Sequence, residues 1–240
     1  MTAKEHYDQH LGNFYSWMAG DFELQKSEFK KFLIENSVQP GYTGIAIDLG
    51  AGHGIQSIPL AALGFKVIAV DFNEQLLTEL ASNAKNYDVI LIHDDIRKVR
   101  QFTDSAELVL CCGDTLSHLD SKGEVENLIA DISKTLQPNG RLILSFRDYS
   151  TALSGTDRFI PVKSDNTRIL TCVLDYETDH VTVTDLLHEK TAMGWQQKLS
   201  AYKKLRLITG EILDLLSVNG LAVIFNQVVN RMTTIIAVCN

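Results

Sequence analysis

The segment IDLGAGHGIQSIPLA, Ile47–Ala61, runs from an apolar stretch through three alternating glycines, Gly50, Gly52 and Gly54, into a helical pattern. A short apolar run ended by glycines reads as a strand buried on both faces, and GIQSIPLAALG after it reads as a helix stopped by Gly64. Such a turn lies at the carboxyl end of a parallel sheet, where open α/β folds bind their ligands.

The pattern repeats on either side. Upstream, DFELQKSEFKKFLIENSV places Phe22, Phe29, Phe32 and Leu33 near helical spacing and ends before Pro40-Gly41. Downstream, FKVIAVDF is a second strand and NEQLLTELASNAKNY a second helix, with Asn73 as N-cap and Leu76, Leu77 and Leu80 as its buried stripe. DVILIHDD is a third strand, Arg97 to Asp104 a short turn, and AELVLCCG a fourth strand. GEVENLIADISKTL is a helix broken at Pro138-Asn139-Gly140, and RLILSFRDY a fifth strand. This alternation predicts a doubly wound, mostly parallel α/β sheet. From Arg168 to Lys190 the rhythm changes to two β-rich runs around Glu177–His180, an expected antiparallel hairpin whose second arm alternates Val181, Val183, Asp185, Leu187. LRLITGEILDLLSVNG is then expected as a helix stopped by Gly220, followed by two closing strands, LAVIFNQVV and TTIIAVC.

With 240 residues, 45% of them hydrophobic, the chain can bury one substantial core, so a single domain over 1–240 is expected, with no repeat or linker inside it. No run reaches membrane-spanning length, and the first residues carry no charged-then-apolar leader pattern, which predicts a cytoplasmic protein that does not engage a membrane. Cys111, Cys112, Cys172 and Cys239 form no CxxC spacing and read as reduced thiols. The net charge of −8 and the lack of any basic run longer than two lysines disfavour a nucleic-acid partner. No ligand-spaced histidine cluster is present, so no metal is expected. Nothing sets the oligomeric state, and a homo-oligomer stays open.

The glycine spacing and its acidic neighbour narrow the ligand. Dinucleotide folds use GxGxxG to place helix N-terminal amides on a pyrophosphate, whereas here the glycines alternate and Asp48 stands two residues before the first. An acidic side chain there suits a cationic ligand. S-adenosylmethionine, with an adenosine, a sulfonium and an ammonium but no phosphate, meets that requirement. Asp71, closing the second strand 17 residues past Gly54, is the expected acceptor for both ribose hydroxyls. In His93-Asp94-Asp95-Ile96 the acidic pair is expected to accept from the adenine amino group while Ile96 packs on the ring.

DLGAGHG, VDFNEQLL, HDDI, ELVLCCGDTLSHL and LQPNGRLILSF, in this order, resemble the successive motifs of class I S-adenosylmethionine-dependent methyltransferases over roughly residues 42–147. The resemblance implies a seven-stranded sheet of order 3-2-1-4-5-7-6 with strand 7 antiparallel. It implies a cofactor site of Asp48, Gly50, Ala51, Gly52, Gly54, Asp71, Phe72, Asp95, Ile96, Cys112 and Gly113, with Tyr15 and Trp17 from N-terminal helices (1–40) that cover the cofactor. Tyr7 is a further candidate for that cover. A narrower likeness joins CCGDTLSHLD and FRDYSTAL to the glycine N-methyltransferase pattern: Gly113, His118 and Leu119 match, Asp114 replaces an asparagine, and Arg147 and Tyr149 match a second segment. In that family the arginine holds the substrate carboxylate, which makes Arg147 and Tyr149 substrate-binding candidates. The predicted hairpin resembles the lid (160–200) that glycine and aminosugar N-methyltransferases insert here; the aminosugar enzymes share the lid without the Arg-x-Tyr segment.

Methyl transfer is an in-line displacement whose leaving thioether needs no proton, so positioning and water exclusion carry most of the catalysis. An amine acceptor must still surrender a proton, and His118, Asp114 and Tyr149 are the candidates to help. Arg147 could instead pair with Asp148 or Asp157 on the surface, and His118 could be a core or capping histidine. The expected function is N-methylation of a small amine or amino acid. A small-molecule O-methyltransferase and a non-catalytic S-adenosylmethionine-binding protein are the alternatives, and the glycine spacing disfavours a nicotinamide dehydrogenase. The lack of a metal cluster tilts the acceptor toward nitrogen.

Overall fold

A computed structural model describes residues 1–240. The chain begins with α1 (Ala3–Gln9), a 3-10 turn (Leu11–Phe14) and α2 (Tyr15–Ala19). α1 opens with a capping box in which Thr2 and Glu5 satisfy each other's backbone amides. α3 (Phe22–Glu35) starts at Asp21, whose carboxylate accepts from the Leu24 amide. Then follow β1 (Ile45–Leu49), α4 (Ser57–Ala62), β2 (Lys66–Asp71), α5 (Glu74–Asn83), β3 (Val89–His93), a 3-10 segment (Ile96–Gln101), β4 (Ala106–Cys111), α6 (Lys122–Thr135) and β5 (Leu136–Phe146).

β1 to β5 pair in parallel, with neighbours β3-β2-β1-β4-β5. The strands read as continuous apolar runs because both faces are covered. Ile47, Leu49, Val109, Cys111, Leu142 and Leu144 point into a core closed by α6. Ala46, Leu108, Leu110 and Ile143 point the other way, against Leu33, Ile58 and Leu80. Asn73 caps α5 as expected, accepting from the Leu76 amide at 2.9 Å.

β6 (Phe159–Ser164), β7 (Arg168–Tyr176), β8 (His180–Thr191) and β9 (Gly194–Leu205) form a separate antiparallel sheet in that order. The expected two-stranded hairpin is thus the centre of a four-stranded lid. The inward Val181, Val183, Asp185, Leu187 alternation stands as read, and the turn is one residue shorter than the expected Glu177–His180 because His180 already opens β8. The flanking strands were hidden for separate reasons. β6 contains Pro161, tolerated because it sits at an edge-strand irregularity, and β9 has an outer face so polar that GWQQKLSAYKKL looks like solvated chain.

α7 (Thr209–Val218), β10 (Leu221–Val229) and β11 (Met232–Cys239) complete the chain. The helix expected from Leu205 begins only at Thr209: Leu205 ends β9, and the Leu207 carbonyl accepts from the Tyr149 amide, which holds 205–208 extended. β11 runs antiparallel to β5 and β10, giving β3-β2-β1-β4-β5-β11-β10. This is the 3-2-1-4-5-7-6 order with an antiparallel seventh strand. No helix is long and apolar enough to cross a membrane.

Candidate active site

The carboxyl ends of β1, β2, β4 and β5, the lid's inner face and the N-terminal segment enclose one cavity of about 1120 Å³. At the end of β1 the chain turns through Gly50, Ala51 and Gly52, all on the cavity wall. Gly50 has φ +77°, and a Cβ there would collide with Thr115 from the turn after β4, so this glycine is demanded by packing as well as by backbone conformation. At Gly52, φ is +52° and the nearest side chain is the Tyr15 ring, 3.8 Å from where a Cβ would lie.

Asp71, at the end of β2, ties this turn in place. Its Oδ2 accepts from the Gly52 amide at 2.8 Å and its Oδ1 from the Asn73 amide at 2.8 Å. It is nearly buried, and burial raises its pKa against those backbone hydrogen bonds. Tyr15 stands over the glycines, its hydroxyl pushed up to about 12 by burial, so it serves as a neutral wall. Phe72, Asp95, Ile96, Cys112 and Gly113 also line the cavity. Asp95 is engaged by Arg97, whose Nε reaches Oδ2 at 2.9 Å. Burial works against the Asp95 carboxylate, and the Arg97 hydrogen bonds more than offset it.

Three cofactor candidates lie elsewhere. Asp48 is 1% exposed beneath the turn, accepting from Ser57 Oγ at 2.6 Å, and burial lifts its pKa to about 7. It anchors α4 to β1 and does not face the cavity, because the strand's alternation turns it toward the helix. Gly54 packs under the loop, where a Cβ would come 3.0 Å from Leu80. Trp17 turns outward to the lid, its Nε1 donating to Asp165 Oδ2 at 2.6 Å with Lys163 and Arg168 over its ring.

The far end of the cavity is built from the turn after β4 and the end of β5. Gly113 and Asp114 both have positive φ, +71° and +75°, a conformation that aspartate tolerates better than most residues. The turn aims the Asp114 carboxylate back under β5. Its Oδ1 accepts from the Arg147 amide at 3.0 Å, while Oδ2 accepts from Arg147 Nη1 at 3.0 Å and from Lys204 Nζ at 2.5 Å. Burial would raise the Asp114 pKa, but the two cations hold it down at about 2. Asp114 is therefore no proton acceptor near neutral pH, contrary to the catalytic role expected of it; it is the anchor of Arg147. The surface ion pair considered for Arg147 does not form, since Asp148 is occupied by Ser150 and Thr209. Arg147 lines the cavity with half its side chain exposed, and its Nε and Nη2 have no protein partner.

His118 presents its ring to the cavity, edge-on to Tyr7 at 5.5 Å. Its Nε2 lies 3.5 Å from the Tyr7 hydroxyl and its Nδ1 is buried without a partner. Burial, then Lys204, push its pKa down to about 3, so it is a neutral hydrogen-bonding group. Tyr149 lines the same end and packs on Leu174, Val181 and Tyr202, burial raising its pKa. Lys204 and Tyr202 of β9 and Asp185 of β8 also reach the cavity, and none was given a site role from sequence, Asp185 being named only as part of the β8 alternation. The signal was present: Ser200, Tyr202 and Lys204 are the buried alternate positions of β9.

The methyltransferase domain family matches residues 46–140, from β1 to the start of β5. The glycine/sarcosine N-methyltransferase of Aphanothece halophytica is 30% identical over 136 residues, 55% of this chain and 51% of that protein. The glycine N-methyltransferase of Rattus norvegicus is 27% identical over 190 residues, 72% of this chain and 62% of that one. The chain thus spans roughly half to three fifths of these two relatives' length. A SAM-bound amino pentose methyltransferase from Micromonospora echinaspora superposes with a TM-score of 0.74 at 14% identity, over 96% of this chain and 97% of that one, a likeness of fold. The chain thus carries a methyltransferase domain over residues 46–140, and its strand order and this superposition give it the fold of the class I S-adenosylmethionine-dependent methyltransferases.

Proposed function

We propose that the protein methylates the nitrogen of a small amine that carries a carboxylate. The observation that supports this reading is the free edge of Arg147. With Nη1 engaged by Asp114, Nε and Nη2 remain as a parallel pair of donors on the cavity wall, the geometry that a carboxylate accepts in bidentate fashion. The two N-methyltransferase relatives named for glycine and sarcosine point to the same acceptor chemistry.

Gly50–Gly52, Tyr15, Asp71, Phe72, Asp95, Ile96, Cys112 and Gly113 are the residues that would hold S-adenosylmethionine. The fit rests on a nearly buried carboxylate, Asp71, beside a wall that side chains leave open at Gly113. When bound, the cofactor supplies an electrophilic methyl on a sulfonium, displaced in line with loss of a neutral thioether. Arg147 would fix the acceptor's carboxylate and thereby its amine. His118, neutral at physiological pH, can accept one N–H of that amine and orient its lone pair, and too weak a base to take the proton outright. The amine therefore enters as the free base, having given its proton to solvent before it binds. Tyr7, Tyr149 and Tyr202 exclude water around it.

A screen of S-adenosylhomocysteine release over amino acids, aminosugars, polyamines and phenols tests the reading. Turnover confined to carboxylated amines is expected, and turnover only of phenols or aminosugars would replace it. Arg147→Ala should raise KM for the acceptor at least tenfold and leave cofactor affinity unchanged.

A further inference from the structure

Lys204 is the one buried cation at the acceptor end that comes from the lid, and neither the motifs nor the proposed acceptor chemistry accounts for it. It is 7% exposed. Burying an ammonium is costly unless it is paired, and its partner, Asp114, is already neutralised by Arg147. The three side chains therefore carry one net positive charge. Lys204 spends a single N–H on Asp114 Oδ2, at 2.5 Å, and has the Tyr202 ring 5.7 Å below it, leaving two donors without a protein partner on the cavity wall. Arg147, bound to the same Oδ2, leaves its Nε and Nη2 without a protein partner. One bridging carboxylate thus holds two cations side by side, and their open N–H groups face the same space.

We propose that Lys204 is a specificity-determining residue: with Arg147 it forms a two-point receptor for a single carboxylate, so that lid strand β9 itself reads the acceptor's charge. This rests on the carboxylated-amine reading above and deepens it. An acceptor carboxylate can accept from the open donors of both cations at once, which a neutral amine or sugar cannot do. Because Arg147 directly follows β5 of the central sheet and Lys204 stands on β9, the anion would bridge the two sheets.

The test uses the full chain loaded with S-adenosylhomocysteine and two probes of equal shape, acetate and acetamide, followed by titration calorimetry. Wild type should bind acetate and discriminate against acetamide. Lys204→Met should weaken acetate at least tenfold with cofactor affinity unchanged, and Lys204→Arg should restore most of it. The double variant Asp114→Asn/Lys204→Met, which removes both partners of the pair, guards against misfolding and should still bind acetate more weakly than wild type, because only Arg147 of the two points remains. Acetate binding by Lys204→Met equal to wild type, or a loss that Lys204→Arg does not recover, would overturn the assignment. Acetate binding by wild type without turnover of any carboxylated amine would sink the proposed reaction while leaving the receptor intact.

Discussion

At the residue scale, the site is a set of charges whose environments hold them in unequal protonation states. His118 is the sharpest case. Its folded pKa, about 3, lies below the ordinary imidazole value, so the native state binds fewer protons than the unfolded chain between these values. Its contribution is complete above about pH 6.5 and is lost as the pH falls toward 3. His118→Asn should therefore flatten the stability curve between pH 6.5 and 4, by on the order of 2 kcal/mol, a figure kept low because the cavity admits water to one face of the ring. Denaturant melts at several pH values read this directly, and parallel curves for both proteins would show that the imidazole is not desolvated. Asp114 acts in the same direction but only in stronger acid, since its carboxylate is held down at about 2. For Asp71, replacement by alanine removes the acceptor for two backbone amides as well as the expected ribose contact. Affinity for S-adenosylhomocysteine should fall by about 1–3 kcal/mol, measured by titration calorimetry. Unchanged affinity would take Asp71 out of the site.

At the scale of elements, α1 is wedged between the central sheet and the lid and fastened to both. His6 is fully buried, stacked on Tyr202 at 4.0 Å, with Nδ1 2.8 Å from Ser200 Oγ and Nε2 3.2 Å from Asp185 Oδ2. On the other side, Asp8 accepts from Asn73 Nδ2 at 2.9 Å, so the cap of α5 also holds α1. His6→Ala would leave Asp185 and Ser200 short of a partner and open a cavity beneath Tyr202, at a cost of about 2–4 kcal/mol. Hydrogen exchange should accelerate in Ala3–Gln9 and in β9 but not in β1 or β4. Exchange unchanged in α1 would mean that another contact fastens it. The lid alternation that delivers Ser200, Tyr202 and Lys204 inward follows from the period of two along β9, and a one-residue slip would turn all three outward.

For the whole molecule, the cavity lies between bodies contributed by distant parts of the chain, and a ligand filling it contacts all of them. Binding to the folded state alone stabilises by mass action. S-adenosylhomocysteine at a hundred times its Kd should add about 2.7 kcal/mol, equivalent to roughly 5–11 °C in Tm for a chain of this size. A thermal melt without any shift would contradict the cofactor assignment.

The amino-acid order alone determined the parallel sheet and the glycine turn at its centre, while the strand order came from the resemblance to class I methyltransferases. A strand covered on both faces must be apolar throughout and a tight turn must be glycine, so β1 to β5 and the Gly50–Gly52 turn are written in neighbouring residues. Asp71 was read as a charged residue ending an apolar run, whereas Arg147 was carried over from the likeness to glycine N-methyltransferases, and both line the cavity. What only the tertiary structure decided was where the charges face and which of them meet. Asp48 and Asp71 both lie at strand ends in the sequence, yet one is turned to Ser57 beneath the sheet's loop and the other to the cavity. Lys204 lies 90 residues from Asp114 in a segment that reads as solvated, and pairing across such a span leaves no local pattern, because charge compensation depends on proximity in space and not on spacing along the chain.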